Sequence, residues 1–436
     1  MLSRSNTAAL GMMVFALFLG AGNVIFPPMA GHLAGEAWVI AALGFMLTGV
    51  GLPFLALLTV AGLGRGEALS RDLPPWAATA FWSLLYLILG PLFAMPRVTN
   101  VAYEMGWLAL GFADTPWSGA LFALAFNAAG LFLTLRPGLL IDSMGRWMTP
   151  VLLALLAAVA AGVALQPMDG VTPASGRYID GAFIAGALSG YQTMDVLSAM
   201  AFGGLVARAL AGKGITQAPI VRRLTLKAGL ISVALLSLLY LSLFYLGATG
   251  SPAAAGASNG GQIFARYVAW LFGAPGSWLM AGIVLLACLT TMVGLASTSA
   301  DYFARQTGLL GYRSWLIAVS VAASLIANFG LDALIRITVP ALYLIYPCAV
   351  CLVLLEPLRS LLPKRKFSYG LTLGVVAVFS LGDMLKAADL LPFPLQTWLE
   401  QLPLFSLSLG WLLPGALALA LSLPLSRVGR SIATAS

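Results

Sequence analysis

Charge is scarce in this chain: Asp, Glu, Lys and Arg make up 9% of its 436 residues, against roughly 25% in soluble domains. A water-exposed globular surface is excluded by that shortage. Histidine is reduced to His32, which falls in an expected outer loop, so neither a histidine metal site nor a histidine-based triad is expected. The three cysteines, Cys288, Cys348 and Cys351, lie in apolar runs without metal-ligand spacing and read as small buried hydrophobes. A phosphate-binding loop of the G-x-x-x-x-G-K-[ST] type is missing as well. Neither an ATP-driven pump nor an enzyme is expected, and no cofactor.

What the chain has instead is apolar length. Hydrophobic residues make up 60% and the mean hydropathy is +0.96, which defines an all-α polytopic membrane protein. A span needs about 20 apolar residues, and polar interruptions divide the chain into about twelve such stretches. They lie near 7–30, 37–62, 76–102, 117–136, 147–166, 179–206, 224–248, 275–303, 314–329, 333–355, 368–386 and 403–425. The first is too long for a cleavable signal peptide and lacks an exit site.

The net charge of +8 orients the protein. With both termini cytoplasmic, eighteen of the 23 lysines and arginines fall on the inner side, as the positive-inside rule requires. They include Arg65, Arg71, Arg136, Arg146, Arg208, Arg222, Arg223 and the "PKRKFS" cluster. Basic residues here signal topology and contact lipid headgroups; no nucleic acid is implied, and no obligate protein partner is evident.

Two stretches are poor helices at mid-span. The first contains "FLGAGNVIFPP", Phe18 to Pro28, and the sixth contains "SGYQTMD", Ser189 to Asp195. Glycine in a helix interior costs about 1 kcal/mol against alanine and proline about 3. Interruptions five stretches apart point to an inverted-repeat transporter with its site at the membrane midplane. Residues 1–166 and 167–355 would be the repeats of five helices, and 356–436 two peripheral helices. Gly20 and Gly22 read singly are compatible with close helix packing; the pairing of the two breaks favours a site.

Unwound backbone in a membrane needs partners. Freed N–H groups at a half-helix start suit a carboxylate, and freed carbonyls suit a cation. Ala21 and Gly22 are the expected carboxylate donors. Asn23 is either a brace across helices or an oxygen for an ion. At the second break, Gly190 is the expected point of unwinding, surrounded by Ser189, Tyr191, Gln192 and Thr193. Asp195, the one acidic residue expected deep in a span, is either an ion or proton relay or gate, or a hydrogen-bonded or Arg-paired structural carboxylate. In the eighth stretch Thr290 and Thr291 are adjacent hydroxyls that bond back to the preceding turn or, with carbonyls, supply neutral oxygens for sodium rather than calcium. Leu295, with Tyr191 and Met194, is a candidate wall for an apolar side chain. Pro91 and Pro96 should bend the third stretch, and Arg97 reads as an outer-vestibule gate residue or, by preference, a snorkelling interfacial arginine.

With "FLGAGNVIFPP", "GPLFAMPR" (Gly90 to Arg97) and "GYQTMD" (Gly190 to Asp195) on the page, the chain resembles the branched-chain amino acid:cation symporter (LIVCS) family, over nearly its whole length. The resemblance implies the LeuT-type five-plus-five inverted repeat of the amino acid-polyamine-organocation superfamily. It also implies sodium-coupled uptake of leucine, isoleucine and valine across a bacterial inner membrane by alternating access; proton coupling in the same fold, or a channel or ligand sensor, are the alternatives. Carried over residue by residue, it implies a sodium site of the carbonyls of Ala16, Leu19 and Ala287 with the hydroxyls of Thr290 and Thr291. A second sodium site matches only at Asn23 and Thr193, because the asparagine expected in the seventh stretch is missing. One coupling ion is therefore expected.

Overall fold

The computed structural model describes residues 4–115, 117–135, 149–362 and 364–433, with side chains from 6 to 423 within those ranges. Arg136 and Arg146, counted above on the inner side, and Pro363 of the basic cluster lie outside the described residues. Among those described there is no strand.

The first stretch is two helices, α1 (Arg4–Phe18) and α2 (Ala21–Ala34), and α2 carries His32 in its last turn rather than in a loop. The second is α3 (Trp38–Met46) and α4 (Leu52–Leu63), joined by a π turn at Leu47–Gly51. In the third, α5 (Pro75–Leu87) and α6 (Ala94–Ala102) are separated by a π turn, Ile88–Leu92. Pro91 supplies no N–H there, and Gly90 leaves helical geometry altogether (φ −88°, ψ −118°), so the expected bend is a local break.

Next come α7 (Ser118–Thr134) and α8 (Thr149–Leu165), then α9 (Tyr178–Tyr191) and α10 (Asp195–Ala211), a pair bent by 45°. The long α11 (Ala218–Ala248) follows, then α12 (Ser251–Ala254), α13 (Gly260–Phe272), α14 (Ala274–Thr307), α15 (Tyr312–Ala327) and α16 (Leu331–Leu358). The chain ends with α17 (Arg365–Ala387), α18 (Phe393–Leu399) and α19 (Leu412–Ala433).

Each of the twelve stretches contains helix. Among the described residues, six continuous helical runs can cross a membrane by length and apolarity, and the bent α9–α10 pair is a seventh; five apolar helices of 10–17 residues are shorter. The last stretch starts later than expected, at Leu412 rather than 403, because Leu404 and Ser408 hold positive φ and keep the preceding segment in turns. That segment is pinned to α17: Asp383 Oδ2 accepts from Gly410 N at 3.1 Å, and Lys386 Nζ donates to the carbonyls of Phe405 and Ser406. Asp383 is thus a second deeply buried carboxylate, which corrects the expectation that Asp195 stands alone.

The amphipathic α13 is too short to span and was not expected as an element. It starts at an N-cap in which Asn259 Oδ1 accepts from Gln262 N at 3.1 Å, while Gln262 Oε1 accepts from the preceding Ser258 N. Its buried face, Ile263, Phe264, Tyr267 and Val268, lies over α2.

Packing follows an exchange. The halves of the first stretch, α1 and α2, lie along α11, while the halves of the sixth, α9 and α10, lie along α3 and α4. First against seventh and sixth against second is the arrangement that two inverted five-helix repeats produce. Around them α14 packs on α6, α7 and α15, and α17 and α19 lie at the margin, reached through α16.

Candidate functional site

The first break covers Leu19 and Gly20, where Gly20 is extended (φ −108°, ψ −174°). Gly20 N turns back to Phe18 O at 2.8 Å and also donates to Asn23 Oδ1 at 3.0 Å. Asn23 N closes the first turn of α2 on Gly20 O at 3.2 Å. Ala21 and Gly22 open α2, so their N–H groups have no partner within the helix.

The second break covers Gln192 to Met194 and not Gly190. Gly190 is helical and buried, and a Cβ there would overlap Thr48 Oγ1 and stand 2.9 Å from Phe45 O. Its absent side chain serves the close packing of α9 on α3, which corrects the expected point of unwinding. The chain turns instead through Met194, in the left-handed region at φ 64°. Thr193 ties the two sides: its Oγ1 donates to Gly190 O at 2.8 Å and accepts from Asp195 N at 3.4 Å. Tyr191 stacks on Tyr346 with ring centroids 4.0 Å apart, and Ser189 pairs with the hydroxyl of Tyr178 at 2.8 Å. Ser189 therefore faces its own helix, away from the break.

The breaks are joined by a polar network buried among α2, α10 and α11. Asn23 Nδ2 donates to Asp195 Oδ2 at 2.7 Å and also to the hydroxyl of Tyr240, which in turn donates to Asp195 Oδ2 at 3.3 Å. Asn23, Asp195 and Tyr240 are all at least 98% buried. Asn23 therefore has a partner in the seventh stretch, and it is a tyrosine. The signal for it was in the sequence: a buried tyrosine hydroxyl requires a hydrogen bond, and Tyr240 lies in the same stretch in which an asparagine was sought.

Arg97 differs from its expected place. Only 4% exposed, it reaches inward: Nη1 donates to Gln192 O at 2.7 Å and Nη2 to Thr193 O at 3.4 Å. Its guanidinium lies 5.5 Å from the centroid of the Phe26 ring. A snorkelling arginine keeps its head in water, whereas this one holds the second break beside the first.

On the other side of α1, five oxygens meet in short contacts between the first stretch and α14. Thr290 Oγ1 lies 2.9 Å from Ala287 O and 3.4 Å from Ala16 O, and Thr291 Oγ1 lies 3.2 Å from Leu19 O. Thr290 thus bonds back to its own helix and also crosses to α1, while Thr291 crosses outright. These are neutral oxygens from two helices, with Leu19 at the break itself. Such a set suits a monovalent cation, since each hydroxyl can turn its hydrogen away and offer a lone pair beside the neighbouring carbonyls. Leu295 is buried on α14, one turn or about 6 Å beyond Thr291.

Two cavities lie outside this centre. One of about 550 Å³ is lined by Asn100, Tyr103, Glu104, Asp114 and Asp332 among others, and one of about 890 Å³ by Leu58, Pro219, Arg222, Arg223 and Glu356 among others. Asn100 stands one turn from Arg97 on α6.

A pair of broken helices enclosing a polar centre, in a frame of exchanged repeats, is the architecture of a secondary transporter. Mhp1, a nucleobase-cation-symport-1 family transporter solved in a closed conformation, matches with a TM-score of 0.62 at 15% identity, over 97% of this chain and 92% of its own. A substrate-bound outward-open Na+-coupled sialic acid symporter matches with a TM-score of 0.61 at 11% identity, over 96% and 90%. At those identities the likeness is one of fold.

The chain belongs to the family described as "Branched-chain amino acid transport protein", whose model matches residues 3–428. It is 50% identical over 425 residues to the branched-chain amino acid permease BrnQ of Haemophilus influenzae, covering 97% of this chain and 98% of the relative. Identity is 41% to the branched-chain amino acid transport system 2 carrier protein of Pseudomonas aeruginosa, covering 96% of each, and 36% to BrnQ of Escherichia coli K12, covering 98% and 97%. It is thus a multi-pass membrane protein of a transporter family.

Proposed function

We propose that this protein imports leucine, isoleucine and valine coupled to sodium, by alternating access, in a bacterial inner membrane with both termini cytoplasmic. The observation that carries the coupling is the cluster of Ala16, Leu19 and Ala287 carbonyls with the Thr290 and Thr291 hydroxyls. Because Ala16 belongs to α1, Leu19 to the break that follows it and the rest to α14, a cation held there ties the broken helix to its surrounding scaffold. The substrate sits across the breaks, its carboxylate at the Ala21 and Gly22 amides and its aliphatic side chain against Tyr191 and Met194. Aliphatic pockets distinguish one methylene by only about 1–3 kcal/mol, so the three branched side chains share the site. Residues 1–166 and 167–355 act as the inverted repeats and 356–436 as peripheral helices, supported by the exchanged packing. No cofactor, nucleic acid or obligate protein partner takes part; lipid headgroups meet the basic inner loops.

Reconstitution in liposomes tests this. Leucine uptake should follow an imposed inward sodium gradient, and uptake indifferent to sodium would remove the coupling. A second reading, proton coupling, is favoured by the hydrogen-bonded Asp195 carboxylate between the two breaks. Under that reading a pH gradient alone drives uptake and Asp195→Asn abolishes it. Labelled-leucine counterflow separates both from a channel or sensor, which shows none.

A further inference from the structure

We propose that Arg97 is the fixed cation of the substrate site and holds the amino-acid carboxylate together with the amides that open α2. This rests on the amino-acid transport reading and names a residue for it.

Arg97 is an incompletely satisfied buried charge. A guanidinium carries five N–H donors and keeps its proton in proteins. Here Nη1 and Nη2 each serve one carbonyl at the second break, and Nε has no hydrogen-bond partner. Among the described residues Arg97 forms no ion pair. The nearby carboxylate, Asp195, accepts instead from Asn23 and Tyr240. A buried cation lacking a carboxylate partner is strongly unfavourable unless a ligand supplies one.

Geometry says where that ligand lies. A Cβ on Gly22 would stand 3.0 Å from Arg97 Nη2 and 3.2 Å from Thr193 Cα, so the guanidinium borders the start of α2. Two sets of donors converge there: the Ala21 and Gly22 amides, with no intrahelical partner, and a planar guanidinium suited to a carboxylate. Phe26 backs the guanidinium with its ring face. One turn along α6, about 4.5 Å away, the buried Asn100 Nδ2 also lacks a partner and lines the 550 Å³ cavity. That cavity comes within one helical turn of Arg97 along α6. A carboxylate bound here would touch residues of both breaks through one side chain.

The test uses the full chain in detergent with three probes: leucine, leucinamide and leucinol, the last two lacking the carboxylate. Wild type should bind leucine far more tightly than either carboxylate-free analogue. Arg97→Gln should weaken leucine by about 100-fold, the loss of a charge-assisted pair, while changing leucinamide by less than about 3-fold, so that the preference for a carboxylate collapses. Arg97→Lys, which keeps the charge and guards against a folding failure of the glutamine variant, should weaken leucine about 10-fold and spare leucinamide. Equal weakening of leucine and leucinamide in both variants would make Arg97 a clamp on the second break alone and overturn the proposal. If wild type prefers leucine over leucinamide and the variants keep that ratio, the proposal fails while the transport reading stands. If wild type binds no leucine, both fall.

Discussion

Asn23 and Asp195, 172 residues apart in sequence, meet at 2.7 Å in the centre of the protein. One opens the first turn of α2 and the other the first turn of α10, so the two half-helices that follow the breaks are fastened at their starts. Tyr240 of α11 completes the ring. The amide of Asn23 is committed on both sides, its oxygen to Gly20 N and its nitrogen to Asp195 and Tyr240. Of the two roles open to this residue from sequence, the brace is the one its hydrogen bonds describe.

Tyr240→Phe removes one corner of that ring with little change in volume. An Asn23 hydrogen and a position on Asp195 then lose their partner in a dry interior, a change that costs about 1–3 kcal/mol. The apparent melting midpoint in detergent should fall, and a midpoint equal to wild type would show that the ring contributes nothing to stability.

Thr291→Val deletes one of the two hydroxyls facing α1 and nearly preserves shape. With four oxygens left of five, the sodium concentration giving half-maximal leucine uptake should rise roughly 10-fold, about 1.4 kcal/mol. Thr291→Ser, which keeps the oxygen, should behave as wild type. Identical sodium activation in the valine and serine variants would disprove the assignment of this cluster.

How much of this was legible depends on what kind of interaction each residue makes. The breaks at Gly20 and near Gly190 could be read because glycine, proline and polar side chains disturb apolar periodicity locally. The crossing of Thr290 and Thr291 to Ala16 and Leu19 came through family resemblance, since no local pattern links positions more than 270 residues apart. Arg97 was misplaced because its position near a predicted helix end suits either water or the interior, and only the bend at Gly90 to Phe93 turns it inward. Gly190 was misread because a glycine that opens a helix and one that admits a neighbour look alike in one dimension. Tyr240 was passed over as another aromatic in an apolar run, although its hydroxyl had to go somewhere.

Gly22→Leu tests the first break from the ligand side. Any side chain here meets Arg97 Nη2, Thr193 Cα and Phe26 Cε2, all within 3.3 Å of the added Cβ, and leucine fills the space beside the amides. Leucine binding should be lost while sodium activation of the melting midpoint, which depends on the opposite side of α1, is retained. Normal leucine affinity in this variant would refute a carboxylate site at the start of α2.

Gly190→Ala separates packing from binding at the second break. The added methyl overlaps Thr48 Oγ1 and lies 2.9 Å from Phe45 O, so α9 must move off α3, at a cost of about 1–3 kcal/mol for an overpacked contact. Thr48→Ala in the same chain removes the first obstacle but also the hydrogen bond from Thr48 Oγ1 to Ala187 O, and the backbone carbonyl of Phe45 stays in place. The double variant should therefore recover only part of the lost melting midpoint. Because the unwound residues are Gln192 to Met194, one turn further on, leucine affinity at temperatures below the transition should change less than about 3-fold, within the spread of ordinary substitutions away from a contact. A variant that melts like wild type yet no longer binds leucine would return Gly190 to the ligand and move the functional break back by one turn.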